Sequence, residues 1–283
     1  MKNKFAFLIL HYVTSEETIK SVESIQKLNY KNYDIVIVDN GSPNNTGIIL
    51  EKLYENERNI HVILSKKNLG FANGNNLGFK YIKEKLKSDF IVMMNNDVYI
   101  TQEDFNQKII DEYKKSKFAV LGPKIILRDN IICAYPDKIF SIDTYKKILR
   151  DRILFYTLNK YHLRYLYSIK FHIKEKLKKK IEINTSIRKE NVLLNGSCLI
   201  FSKEYINKFD GIDDRTFLYY EEPLLFIRIE KNNLKSIYNP EIEIFHDESV
   251  STNKAIKNKR RKNDFKLKHE IESLRILIKE MEK

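Results

Sequence analysis

Four short, unbroken apolar runs, each closing on a polar cluster, constrain this chain more than any other feature. Phe5–Leu10 ends at His11 and Tyr12, and Ile35–Val38 ends at Asp39-Asn40-Gly41-Ser42-Pro43. His61–Leu64 is followed by Lys66-Lys67-Asn68, and Phe90–Met94 is closed by Asn95-Asn96-Asp97. A strand with one wet face alternates polar and apolar residues, whereas a strand covered on both faces reads as a continuous apolar run. Helical signals fill the gaps. Thr14 and Glu17 have capping-box spacing ahead of Ile19, Val22, Ile25 and Leu28 on one face, and residues 71–86 look helical despite Gly74 and Gly78. The expectation is an α/β fold with a mainly parallel central sheet flanked by helices.

In such sheets the carboxyl ends of the strands border the ligand crevice. That rule selects Tyr12, Asp39-Asn40, Lys66-Lys67-Asn68 and Asn95-Asn96-Asp97. An aromatic ring, basic residues and two carboxylates suit a nucleoside diphosphate, with the base on Tyr12 and accepted by Asp39. The chain has neither Gly-x-Gly-x-x-Gly nor a Walker loop, so phosphate charge must be met by a metal ion or by side chains. Asn, Asp and Gly are also ordinary turn formers, so each cluster alone admits a purely structural reading.

The second half is less regular. From Ile131 to Asn191 no pattern persists, then Val192–Phe201 reads as strand, tight turn and strand. Glu204–Phe209 suggests a short helix. Phe217-Leu218-Tyr219-Tyr220 leads into paired acids, Glu221-Glu222, and a helical stretch with Arg228. Ile242–His246 is a strand ending in an imidazole. Leu267, Ile271, Leu274, Ile278 and Met281 recur at steps of four and three, which predicts a final helix packed on the body.

Composition narrows the class. With 42% hydrophobic residues the chain is no disordered segment, and no apolar run approaches the ~20 residues needed to span a bilayer. The N-terminal run reads as a strand, not a signal peptide. Cys133 and Cys198 have neither disulfide-framework nor metal-site spacing, so a reducing cytoplasm is expected. The net charge of +13 is concentrated. Residues 146–180 carry twelve basic and two acidic side chains, and residues 254–268 carry eight and one. The first segment interleaves Phe155, Tyr156, Tyr161, Tyr165, Tyr167 and Phe171. Such segments face an anionic membrane surface or a nucleic acid, or they are simply solvated helix faces.

Laid out in order, these residues resemble a family 2 glycosyltransferase of the GT-A fold, in the branch of bacterial rhamnosyl- and galactosyltransferases of surface polysaccharides. The similar stretches are Leu8–Tyr12, Ile35–Ser42, Asn68–Asn76, Met93–Asp97, Asp210–Phe217, Tyr219–Glu222 with Arg228-Ile229, and His246. The resemblance implies that Tyr12, Asp39, Asn40, Asn68, Asn75, Asn95 and Asn96 form the nucleotide-sugar site. It places Asp97 at the last Asp of the DXD motif, a ligand of Mg²⁺ or Mn²⁺, with His246 as second protein ligand. Glu222, with Glu221 beside it, falls at the general base of an inverting transfer, and Asp213 and Asp214 lie in the acceptor-binding loop.

It further implies a UDP- or dTDP-sugar donor and a lipid-linked saccharide acceptor, handled at the inner membrane face through 146–180, with no nucleic acid. A homo-oligomer is left open. Residues 1–250 would be the GT-A domain, with a basic, helical insertion about 141–190 and a basic helical extension at 251–283. Three departures stand out: Asn95 and Asn96 where relatives often have an acid, Glu222 where Asp is usual, and Pro223-Leu224-Leu225 in place of a further acid. They keep a non-catalytic partner in polysaccharide assembly as an alternative, beside a nucleic-acid-binding protein.

Overall fold

The computed structural model describes residues 3–135, 137–161, 184–247 and 259–283, without the side chains of 259–262. The apolar runs become strands as their composition demands. β1 (Phe5–His11) lies between β2 (Tyr33–Asp39) and β4 (Phe90–Asn95), parallel to both, and β3 (Ile60–Leu64) continues the sheet beyond β2. His11 pairs with Asp39 and Leu10 with Asn95, so the polar run-ends meet along one edge. The connecting helices are α1 (Ser15–Gln26), α2 (Thr46–Leu53) and α3 (Phe71–Tyr81), the last continued by a π-helical turn at Ile82–Leu86. The glycines inside α3 have a packing reason. A Cβ on Gly78 would sit 2.2 Å from Leu8 Cδ1, so only glycine lets the helix lie this close to β1.

Beyond β4 the sheet is mixed. β5 (Val98–Tyr99), α4 (Phe105–Ser116), β6 (Val120–Ile126), β7 (Lys189–Glu190), β8 (Cys198–Ser202) and β9 (Ser236–His246) complete the order β3-β2-β1-β4-β8-β6-β9-β5, with β7 on β9. β8 is antiparallel to β4 and β6, and β9 is antiparallel to β5 and β7 but parallel to β6. Parallel pairing therefore holds throughout β1–β4 and recurs at β6–β9, while β5, β7 and β8 pair antiparallel. An apolar run reports burial on both faces and carries no direction; β8, Cys-Leu-Ile-Phe-Ser, is buried throughout yet antiparallel.

Two further expectations change. Val192–Leu194 is buried but is no strand; the run before the turn covers Gly122 of β6, and Leu193 N–H bonds the Asp137 carbonyl. The capping box does not close. Thr14 Oγ1 accepts from Asn96 Nδ2, and the Glu17 carboxylate accepts the Tyr99 hydroxyl instead.

Apolar clusters cover both sheet faces, and a third forms where α5 (Ile142–Lys160), α7 (Glu221–Lys231) and α8 (Lys259–Met281) meet. The short helix after β8 is α6 (Lys203–Ile206). Leu267, Ile271, Leu274 and Ile278 are buried as their period requires. Leu274 and Leu277 pack with Tyr145 of α5 and Leu224 and Ile227 of α7. Lys146–Glu282 and Arg152–Glu270, each at 2.8 Å, and Asn159 with Asp264 clip α5 to α8. Lys146 and Arg152 of the basic segment thus already face acids of their own chain. Tyr165, Tyr167, Phe171 and the rest of 162–183, like 248–258, lie outside the described residues. Among those described, no helix is long and apolar enough to cross a membrane.

Candidate functional site

The edge where β1, β2 and β4 end carries the expected cluster, and the backbone there is strained. Val13, directly after Tyr12, has φ 69°, a conformation unusual for a β-branched residue and typical of functional turns. It is held by Ser42 Oγ on its N–H and Asn44 Nδ2 on its carbonyl. Tyr12 is left partly exposed at this edge. Asp39 is buried, accepts the Ser42 hydroxyl and N–H, and lies 3.9 Å from His11 Nε2. Burial, against the pull of Asp39, lowers the His11 pKa to about 4, so the ring is neutral between Thr18 and Thr46.

The Asn residues divide by role. Asn40 donates to Asn68 Oδ1 and the Gly70 carbonyl and accepts Leu69 N–H, so its amide is fully engaged in shaping the Asn68–Gly70 loop. Asn68 is itself exposed, its Oδ1 taking Gly70 N–H. Asn75 is buried and bonds back to Phe71 within α3. Asn96 is buried, its NH₂ on Thr14 and Thr18, so it anchors the turn after β1. Asn95 stays partly exposed at the end of β4.

Asp97 and His246 come together from sequence positions 149 residues apart. β5 pairs with the end of β9 (Val98 with His246), which sets His246 Nε2 3.2 Å from Asp97 Oδ1. The Asp97 carbonyl also accepts Asp247 N–H, and Asp247 is held by Arg128 Nε at 2.7 Å. A hard carboxylate oxygen and an imidazole nitrogen converging at this distance fit Mg²⁺ or Mn²⁺. Among the described residues no group of three or more His, Cys, Asp or Glu is placed to hold a metal, so any ion here takes its remaining ligands from elsewhere.

The third part is the 210–222 loop, which α3 grips. Asn76 donates to the Ile212 carbonyl and accepts Ile212 N–H, both at 2.9 Å, and Asn73 donates to the Asp214 carbonyl. Gly70 is needed beneath it: a Cβ there would stand 2.3 Å from the Phe217 carbonyl oxygen. Asn73 and Asn76 lie within the Asn68–Asn76 stretch but had no role assigned from sequence. Their spacing of three on one helix face was the available signal.

Of the two expected acceptor-loop acids, Asp213 turns inward. Burial alone would raise its pKa, but Arg215, with Nε at 2.8 Å, and Arg228 outweigh that and hold it below the usual range. Arg215 continues to Glu280 of α8, tying the loop to the C-terminal helix. Asp214 is exposed.

Tyr219 and Tyr220 both adopt left-handed φ, 75° and 67°, immediately before the paired acids. Glu221 is buried on Thr216 Oγ1 at 3.0 Å; burial, then the Glu222 charge, raises its pKa to about 7. Glu222 instead lines a cavity of about 290 Å³ with Tyr135, Tyr145, Tyr219 and Tyr220. Burial raises its pKa too, opposed by its own N–H and that of Gly196. A Cβ on Gly196 would sit 2.7 Å from Glu222 Oε1. The next residue, Ser197, accepts Asn95 N–H through its carbonyl, so the Glu222 contact adjoins the end of β4 that leads to Asp97. Asp97 does not itself line the Glu222 cavity.

The mixed sheet, with its polar strand-end crevice and flanking helices, is an α/β fold of the nucleotide-sugar transferase type. The Glycosyl transferase family 2 model matches residues 8–165, and the chain belongs to that family. It is 27% identical over 132 residues to the hexosyltransferase Agl10 of low-salt glycan biosynthesis from Haloferax volcanii, covering 46% of this chain and 39% of Agl10. The fold matches S. aureus TarS 1–349 with a TM-score of 0.56 at 14% identity, over 86% of this chain and 60% of that one. It also matches the mannosyltransferase PcManGT of Pyrobaculum calidifontis, in complex with GDP-Man and Mn²⁺, with a TM-score of 0.55 at 10% identity, over 90% and 59%. The chain thus spans well under half the length of Agl10 and about three fifths of each structural neighbour.

Proposed function

We propose that this protein transfers a sugar from a nucleoside-diphosphate donor to a saccharide acceptor, with inversion at the anomeric carbon, in the building of a cell-surface glycan. The observation that carries the reading is the single sheet edge that gathers Tyr12, Asp39, Asp97–His246 and, through Gly196-Ser197, Glu222. The nucleobase lies against Tyr12 with Asp39 as acceptor. Asp97 and His246 would hold Mg²⁺ or Mn²⁺, which when bound supplies positive charge to the diphosphate. The acceptor hydroxyl oxygen bonds to the anomeric carbon from the face opposite the diphosphate. The C–O bond to phosphate breaks, its electron pair leaves with the nucleoside diphosphate, and the hydroxyl proton passes to Glu222. The buried site strengthens each of these electrostatic contacts relative to water. Agl10, a hexosyltransferase, supports the sugar-transfer class, and the GDP-Man and Mn²⁺ of PcManGT support the donor and metal classes.

A thermal-shift series of nucleoside-diphosphate sugars with and without Mn²⁺ tests this reading. A ligand at 100 times its Kd adds about 2.7 kcal/mol. For a domain of this size that is a rise of roughly 5–10 °C for the matching donor. No shift with any UDP-, dTDP- or GDP-sugar rejects the reading.

The acceptor is proposed to be lipid-linked and reached at an anionic membrane. Lys147 and Arg150 are exposed on α5 beside exposed Ile153, Leu154 and Tyr161, a mixed basic and apolar face suited to headgroups. Lys147→Glu with Arg150→Glu is expected to weaken binding to phosphatidylglycerol vesicles by roughly tenfold or more. Equal sedimentation of both proteins with those vesicles removes the membrane component.

A further inference from the structure

The turn that leads into Glu222 is strained. Tyr219 and Tyr220 stand at φ 75° and 67°, a costly conformation for a residue with a Cβ, which persists only where its surroundings over-determine it. α3 grips the preceding loop at Ile212, Asp214 and Phe217. Nearer the turn the hold comes from α8, which lies outside the 8–165 family match.

α8 engages this stretch residue after residue. Ser273, 1% exposed, donates its hydroxyl to the Leu218 carbonyl at 2.8 Å, on the peptide directly before Tyr219. The Phe217 ring stacks on His269 with centroids 4.4 Å apart. Lys266 Nζ lies 5.9 Å from the centroid of the Tyr219 ring, within cation–π range. Glu280 then joins both sides of the turn, its carboxylate taking Arg215 Nη1 and Lys231 Nζ, each at 2.9 Å, with Lys283 at 3.0 Å. Arg215 precedes the turn, and Lys231 closes α7, the helix whose first turn carries Glu222.

Neither Ser273 nor Glu280 is placed for the good of its own helix. A serine in a helix interior commonly bonds back to its own backbone, whereas Ser273 reaches across to the loop. An anion in the last turn opposes the helix dipole, so the siting of Glu280 is explained by the cations it gathers.

Building on the transferase reading above, we propose that α8 is the brace that keeps the Tyr219-Tyr220 turn wound, and that Ser273 and Glu280 are positioning residues for Glu222. Without them the turn relaxes and the Glu222 carboxylate leaves its cavity. The nucleotide edge at Tyr12 and Asp39, built on β1 and β2, is unaffected.

The N–H groups of Tyr219, Glu221, Glu222 and Leu224 are hydrogen-bonded in this turn, so their exchange with solvent deuterium reports its opening. The test uses the full chain with Ser273→Ala, Glu280→Gln, the two combined, and Ile25→Val, a core trimming in α1 that lowers global stability without touching the loop. Each α8 substitution should speed exchange over 219–224 roughly three- to tenfold, the worth of one hydrogen bond. The two losses compound, so the double variant should release nucleoside diphosphate about fivefold more slowly or worse, with UDP affinity within about twofold. Ile25→Val should change neither exchange over 219–224 nor turnover. Unchanged exchange in both single α8 variants overturns the proposal, as does unchanged turnover in the double variant. An equal response in Ile25→Val overturns it too, since α8 would then add only stability. If no nucleoside-diphosphate sugar supports transfer by the unaltered protein, the transferase reading fails, and the exchange rates alone decide whether α8 holds the turn.

Discussion

Glu222→Gln is expected to lower the transfer rate by about 10²–10⁴-fold, the usual contribution of a positioned general base, while donor affinity stays within twofold. Glutamine keeps the shape beside Gly196 but cannot take the acceptor proton. Glu221→Gln should cost less, because Glu221 points at Thr216 and is walled off from the cavity that Glu222 lines. The pH profile gives an independent check. Burial raises the Glu222 pKa, so the base remains protonated, and inactive, to a higher pH than an ordinary carboxylate. The acid limb of turnover should therefore lie above the usual glutamate range and vanish in Glu222→Gln. Linkage has the opposite sense for stability. A carboxyl whose folded pKa is raised, such as Glu221 at about 7, contributes stability below the unfolded value that is lost as pH rises through 7. Full turnover in Glu222→Gln, measured by release of nucleoside diphosphate, would remove the residue from the mechanism.

Asp97→Asn is expected to abolish the metal dependence of nucleoside-diphosphate binding, with a loss of about 10–100-fold or more in affinity when Mn²⁺ is present. The substitution preserves side-chain size at a position only 2% exposed, so the fold should be spared. His246→Gln should show a smaller effect in the same direction, since imidazole contributes a neutral ligand and Asp97 the charge. Calorimetric titrations of UDP or GDP with and without Mn²⁺ decide the matter. Identical curves in the unaltered protein would dismiss Asp97 as a ligand and leave the Asp97–His246 pair as a brace between β5 and β9.

How far the sequence reached is visible in particular elements. Strands β1 to β4 were legible because burial on both faces leaves an unbroken apolar signature, and their polar endings located the crevice edge. α8 was legible through its four-and-three spacing. α5 was expected only as part of a helical insertion about 141–190, without a period of its own, since its apolar positions serve a small third cluster with α7 and α8, and Lys146 and Arg152 answer acids near the C-terminus. Paired acids at 221–222 could be found by eye, but which one faces the cavity depends on the left-handed turn at Tyr219 and Tyr220.

The Asn residues show the same limit. Their amides look alike in sequence, yet Asn40 and Asn96 are engaged in loop anchoring and Asn73 and Asn76 hold the 210–217 loop, while Asn68 and Asn95 face outward. By itself, then, the chain determined its strands, its final helix and the residues that can bear charge at the strand ends, because burial and period are local properties. Only tertiary structure decided which carboxylate meets His246, which turns to Thr216 and which opens into a cavity. Those outcomes rest on contacts between segments up to 149 residues apart, where solvation and partner charge are set by neighbours that no local pattern records.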